Sequence, residues 1–243
     1  MKDIEPFQGT VLLRGTIANL KRSKRSHDFV LTQVQQSAVG ATAVGAAVMG
    51  MGGAAIGLTN MAMNADEEAE WVEFDIDGKQ VQGWMWLMPM RNGDAVEVVA
   101  ERVTDQRYVA YAVKRDGDDI VAVYPHATAG RKAHYRFMTK LMLWSFFILY
   151  SIISVGLYMK IGRVDIGGFL IVFFSTFAMG ISTFGVLFYR SARKMMGFVY
   201  MAEAIFRTYG WPDVGNINLR ETSRENRREN RLPNYGRYYF RYK

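Results

Sequence analysis

The chain has 243 residues, half of them hydrophobic, with a formal net charge of +7 and a pI near 9.5. It contains no cysteine, which excludes disulfides, thiolate metal sites and cysteine nucleophiles. The basic excess points to an acidic partner surface, either lipid headgroups or nucleic acid.

No cleaved secretory signal is expected, because Met1 to Gly9 hold Asp3, Glu5 and Pro6 and no apolar stretch. Residues 7–31 and 70–124 read as strands. Val11, Leu13 and Ile17 alternate with Leu12, Arg14 and Thr16, and Val72, Phe74 and Ile76 alternate with Glu73, Asp75 and Asp77. Asp77-Gly78, Asn92-Gly93 and Asp116-Gly117 are hairpin turn signals. About six short strands without a strong helix between them predict a small β barrel or sandwich, OB-like in character, over residues 1–127.

Between the strand blocks, residues 37–64 carry no charge and are dominated by Ala, Gly, Val and Met. If the flanking strands share one sheet, a single crossing here would separate them across a membrane. A hairpin broken at Gly50 to Gly53 avoids this, with arms of about 18 Å that are too short to span. Gly45, Gly50, Gly53 and Gly57 are the candidate residues for membrane insertion or self-association. A soluble loop or a buried Ala/Gly helical pair is the competing reading.

Residues 128–194 read as a juxtamembrane segment and a transmembrane hairpin. Leu141 to Met159 and Ile166 to Tyr189 are uncharged runs of 19 and 24 residues, and a helix of about 20 apolar residues crosses a bilayer core. The link Lys160 to Asp165 is six residues long, so the pair is antiparallel. Arg131, Lys132, Arg136 and Lys140 precede the first run, and Arg190, Arg193 and Lys194 follow the second. Against them the link has only Lys160 and Arg163. This bias orients both flanks, and hence both termini, to the cytoplasm of a bacterial inner membrane. The seven flanking cations are the candidate lipid-headgroup contacts. No ionisable residue interrupts either run, which argues against a proton relay. Ser154, Gly156, Ser175 and Gly180 suit close helix packing or self-association, and an oligomeric conduit is the sharper alternative.

Residues 195–243 read as an amphipathic helix over Met195 to Tyr209, then a basic-aromatic tail. The end, Tyr235 to Lys243, interleaves aromatics with cations. Three readings compete for residues 220–243: a solvated tail, contact with anionic lipid, or nucleic-acid binding by stacking and phosphate contact.

No nucleophile elbow or phosphate-binding loop is present. His27, His126 and His134 lack metal-ligand spacing, and Asp75-Ile76-Asp77-Gly78 lacks the remaining ligands of a calcium loop. The expectation is a protein with no catalytic residue, no metal and no cofactor.

Three blocks then stand out: Asn92-Gly93-Asp94 before a Val-rich strand, Tyr124-Pro125-His126 with Gly130-Arg131-Lys132-Ala133-His134-Tyr135, and Ala202-Glu203-Ala204-Ile205-Phe206 leading to Gly210-Trp211-Pro212-Asp213. In these blocks and their order the chain resembles a family of proteobacterial membrane proteins labelled type VI secretion system effectors. The resemblance implies a role in interbacterial antagonism and no catalytic residues. It leads to the expectation of a self-associating protein that inserts into the bilayer and disrupts it. The alternative is a resident inner-membrane immunity or sensor protein whose β module binds a ligand or partner. A cognate effector, immunity protein or chaperone is the protein partner expected.

Overall fold

The computed structural model describes residues 9–27, 67–161, 166–226 and 233–242. The insertion 37–64, with Gly45, Gly50, Gly53 and Gly57, lies outside the described residues, as does Gly162. The chain is α+β and forms two compact units. One runs to Arg131 and resumes at Met195; the other is Lys132–Lys194.

The first unit is built on a mixed sheet. Its strands are β1 (Thr10–Thr16), β2 (Ala18–His27), β3 (Glu67–Ile76), β4 (Lys79–Met85), β5 (Ala95–Arg102), β6 (Arg107–Arg115), β7 (Ile120–Val123) and β8 (Phe240–Arg241). The order is β1-β5-β6-β4-β3-β2, with β7 pairing β6 and β8. The ladder between β4 and β6 is parallel and the others are antiparallel.

The expected alternation holds in β3, where Val72, Phe74 and Ile76 are buried. Asp77 and Gly78 both take positive φ and join β3 to β4 in a two-residue turn, which matches strand twist. Asn92-Gly93 does something else. The strands on either side of it, β4 and β5, are not neighbours. Instead Gly93 N–H donates to Ile17 O at 2.9 Å and Ile17 N–H donates to Asp94 O at 3.0 Å.

The sheet is open, which corrects the expectation of a closed barrel or sandwich. Its path ends at β1 and β2, and these are successive stretches of chain joined by Ile17 alone. One residue without a reversing turn leaves them no way to fold back and pair. The residues after β4 border β2 instead: Leu20 N–H donates to Asn92 Oδ1 at 2.8 Å, and the Arg22 guanidinium donates to Met90 O. The second layer is helical, with no second sheet among the described residues.

Both faces of the sheet are covered. One packs Trp71, Trp84, Tyr111 and Val123 with Phe198, Met201, Ile205 and Phe206 of helix α3 (Met196–Thr208). The other packs Ile17, Phe74, Met85, Met88, Met90 and Val98 with Tyr235 and Tyr239. This is why six successive residues of β6, Tyr108 to Val113, are all buried. At Gly83 a Cβ would run into the carbonyl of Ala110, so only glycine allows this approach of β4 to β6.

The C-terminal segment is not a free tail. Helix α4 (Leu219–Asn226) and β8 belong to the same unit as the sheet. Tyr235, Tyr239 and Phe240 are buried, and Trp211 stacks on Tyr242 at 4.0 Å between centroids. Those buried rings are withdrawn from base stacking and from a lipid surface. The aromatic residues close a core because their apolar area is best buried against the uncovered edge of β7.

The second unit is a helix pair, α1 (Arg131–Ile161) and α2 (Ile166–Lys194); α1 takes its first residue from the other unit. Both helices are long and apolar enough to cross a membrane. Trp144 is 70% exposed, and Ile171 and Met179 are 72% exposed. A core helix of a soluble protein would bury such residues.

Candidate functional site

Two regions carry functional potential, one in each unit. The first is the hairpin itself. Its two helices meet through aromatic rings. Phe146 stacks on Tyr150 at 5.5 Å and meets Phe177 and Phe184 edge-on. The Tyr150 hydroxyl donates to Phe173 O at 2.6 Å. Near the start of α1 and the end of α2, His134 Nε2 donates to Ala192 O at 3.3 Å. These contacts set an antiparallel register in which the ends carrying Lys132, Arg136, Lys140, Arg190, Arg193 and Lys194 come together. All six cations are exposed, as a headgroup collar requires. Arg131 differs. Its guanidinium donates to Glu203 Oε2 at 3.0 Å and lies 5.5 Å from the Tyr200 ring centroid.

The small residues divide by role. Gly180 faces its own hairpin: a Cβ there would sit 3.0 Å from the Phe146 ring. Gly156 is exposed with open space around it. Ser154 is half-buried and Ser175 exposed. The hydroxyls of Ser175, Thr176, Ser182 and Thr183 each donate to a carbonyl one turn back, at 2.7 to 3.1 Å. They are thereby satisfied without water.

The second region is a groove of about 630 Å³ on the sheet. Its floor is the polar face of β3 and β4, where Glu73 stands opposite Gln82 and Asp75 opposite Gln80. Lys21 of β2 is paired with Glu73, and Arg107 of β6 with Gln80. Each carboxylate is positioned by one neutral donor. Trp71 Nε1–H donates to Glu73 Oε1 at 2.8 Å, and Asn19 Nδ2 donates to Asp75 Oδ2 at 2.8 Å. Asn19 has φ of 54° at a bulge between Ala18 and Lys21, a device that re-aims side chains.

Comparisons with known proteins find no matching family model, no similar curated protein and no similar solved structure.

Sequence reasoning missed the groove. The alternation of Glu73 and Asp75 marked one polar strand face. What joins it to Gln80, Gln82, Lys21 and Arg107 is cross-strand register, which no local pattern encodes. It singled out the block around Glu203 but gave no role to that carboxylate, which is buried on α3 and sits among apolar neighbours in sequence. Among the described residues no three His, Asp or Glu side chains converge as a metal site.

Proposed function

We propose that the chain is a resident, non-enzymatic inner-membrane protein, anchored by α1 and α2, whose cytoplasmic unit binds a ligand or partner. One observation carries this reading. The folded unit is discontinuous, made from the residues before the hairpin and the residues after it. β7 pairs with β8 across that interruption, so both flanks of an inserted hairpin must lie on one side of the membrane. The seven flanking cations support the cytoplasm as that side.

The sheet's strand order supports an OB-like reading in its partly open form, because the β1–β2 run borders both ends of the path. Sheets of that kind present a strand face to extended ligands. Within type VI antagonism, to which the resemblance points, such a protein protects the producing cell or senses a ligand. Its protein partner is then a cognate effector or chaperone.

A bilayer-disrupting oligomer is the second reading, favoured by the exposed apolar surface of both helices. The internally satisfied hydroxyls of α2 weigh against a polar conduit. Expression in a susceptible strain with a membrane-potential dye separates the two. A steady potential with stable accumulation is expected, and rapid depolarisation would select the disrupting oligomer. Reporters at Met1 and after Lys243 should read cytoplasmic and one at Gly162 periplasmic. A cytoplasmic reading at Gly162 would overturn the topology.

A further inference from the structure

We infer that the groove over β3 and β4 is a binding site for a neutral, hydroxyl-rich ligand of the oligosaccharide class. The inference rests on the reading of the folded unit as a ligand-binding module.

The groove's volume of about 630 Å³ falls in the range of small-molecule sites, about 300 to 1,000 Å³. Its chemistry is a tile. Carboxylates at Glu73 and Asp75 alternate with carboxamides at Gln82 and Gln80, in register across the ladder. Neighbouring strands lie about 4.8 Å apart, and same-face residues along a strand about 6.7 Å apart. Lys21 and Arg107 flank the tile on opposite sides. Two cations offset two carboxylates, so the site is formally neutral. Acceptors, donors and groups that do both lie side by side, and hydroxyls match such a mixture because each donates and accepts.

Other ligand classes fit poorly. Glu73 and Asp75 would repel a phosphate backbone. The one aromatic in the lining, Phe74, is buried, so no ring is offered for base stacking. An extended peptide cannot add as a strand, because β3, β4 and β6 are each paired on both sides. An apolar partner finds little to hold, because Phe74 and Val81 in the lining are buried and Leu20 is half-buried.

The carboxylates are also held ready. Trp71 and Asn19 each fix one oxygen of one carboxylate. Neither carboxylate is engaged by an ion pair among the described residues. Preorganised, incompletely used acceptors favour ligand hydroxyls, because little ordering remains to be done on binding.

The same sugar chemistry arises from a free oligosaccharide or from a neutral glycolipid headgroup, and the test has an arm for each. The full-length chain in phosphatidylcholine nanodiscs is titrated calorimetrically with maltotetraose, cellotetraose and chitotetraose. In the second arm it is mixed with vesicles containing diglucosyl-diacylglycerol. Saturable one-site binding is expected in at least one arm. Glu73→Gln, Asp75→Asn and Gln82→Ala should each weaken it about tenfold, the loss of a hydrogen bond to a charged or amide group. Thermal melts identify any variant that fails to fold, and Glu73→Gln preserves shape. Absence of saturable binding in both arms overturns the inference, as does binding that all three variants leave unchanged. Binding of an oligouridylate lost in Lys21→Ala and Arg107→Ala would overturn it in favour of a phosphate ligand. With Gly162 periplasmic and the membrane potential steady, these failures fall on the groove alone. A misplaced reporter or a depolarised cell falls on the function proposed above, whatever the groove binds.

Discussion

Glu203 is 4% exposed on α3, and its carboxylate meets the first residue of α1. Arg131 donates its backbone N–H to Oε1 at 2.7 Å and its guanidinium to Oε2 at 3.0 Å. One orphan donor of a helix N-terminus is thereby capped from another element. Glu203→Ala is expected to destabilise the folded unit by about 1 to 3 kcal/mol, the cost of stranding partly buried donors. Glu203→Gln should lose less, because an amide oxygen still accepts. Thermal melts in detergent compare the two. The buried tyrosines add a pH dependence. Burial raises the pKa values of Tyr111, Tyr124 and Tyr209 above the ordinary 10.0, and Glu101 beside Tyr111 and Glu97 near Tyr209 add to it. The folded chain keeps these protons while the unfolded chain releases them near pH 10. The tyrosine contribution is therefore fully present below that value and is lost as the pH climbs above it. Denaturant midpoints should fall through the alkaline range, less steeply in Tyr111→Phe.

At the scale of elements, the hairpin and the final strand hold by different forces. In a bilayer, apolar burial no longer drives helices together, and close packing and hydrogen bonds take over. The aromatic ladder around Phe146 and the Tyr150–Phe173 bond supply both. Gly180→Leu should push the helices apart at Phe146, costing about 1 to 3 kcal/mol by overpacking. Thermal melts in detergent report this: the midpoint should fall in Gly180→Leu and hold in Gly156→Leu, where a side chain meets open space. The short strand β8 holds instead by core burial. Phe240 is 0% exposed between β7 and the helical layer, and Phe240→Ala should cost about 3 to 5 kcal/mol. Limited proteolysis should then cleave the C-terminal segment while the protein stays membrane-bound. Unchanged resistance would return the segment to the status of a tail.

At the scale of the molecule, the folded unit is interrupted by the hairpin. The chain leaves it at Arg131 and re-enters at Met195. The two points are close, since Arg131 is hydrogen-bonded to Glu203 and eight helical residues cover only about 12 Å. A flexible linker of about eight residues, reaching up to ~27 Å, should therefore replace residues 132–194. The product is expected to be soluble without detergent, with sheet and helix signatures in circular dichroism and a cooperative melt. An unfolded product would show that the unit needs the hairpin to form, and a folded product that stays soluble only in detergent would assign membrane contact to residues 37–64.

Local pattern alone was enough for the two long apolar helices, for the alternating strands and for the Asp77-Gly78 hairpin. Each is encoded by neighbours in sequence: an uninterrupted apolar run, a period of two, a pair of residues that accept positive φ. Tertiary structure decided what depends on distant partners. The run from Tyr235 to Tyr242 looks like a soluble basic-aromatic tail until β7 offers Phe240 a ladder and a core. Asn92-Gly93 looks like a hairpin turn until Ile17 takes its hydrogen bonds. β1 and β2 read as parts of a closed barrel, yet as one run of chain they end the sheet at both sides. The groove exists only because four strands bring Lys21, Glu73, Gln80 and Arg107 into register. Sequence periodicity specifies which face of a strand is polar; only pairing specifies which other polar residues stand beside it.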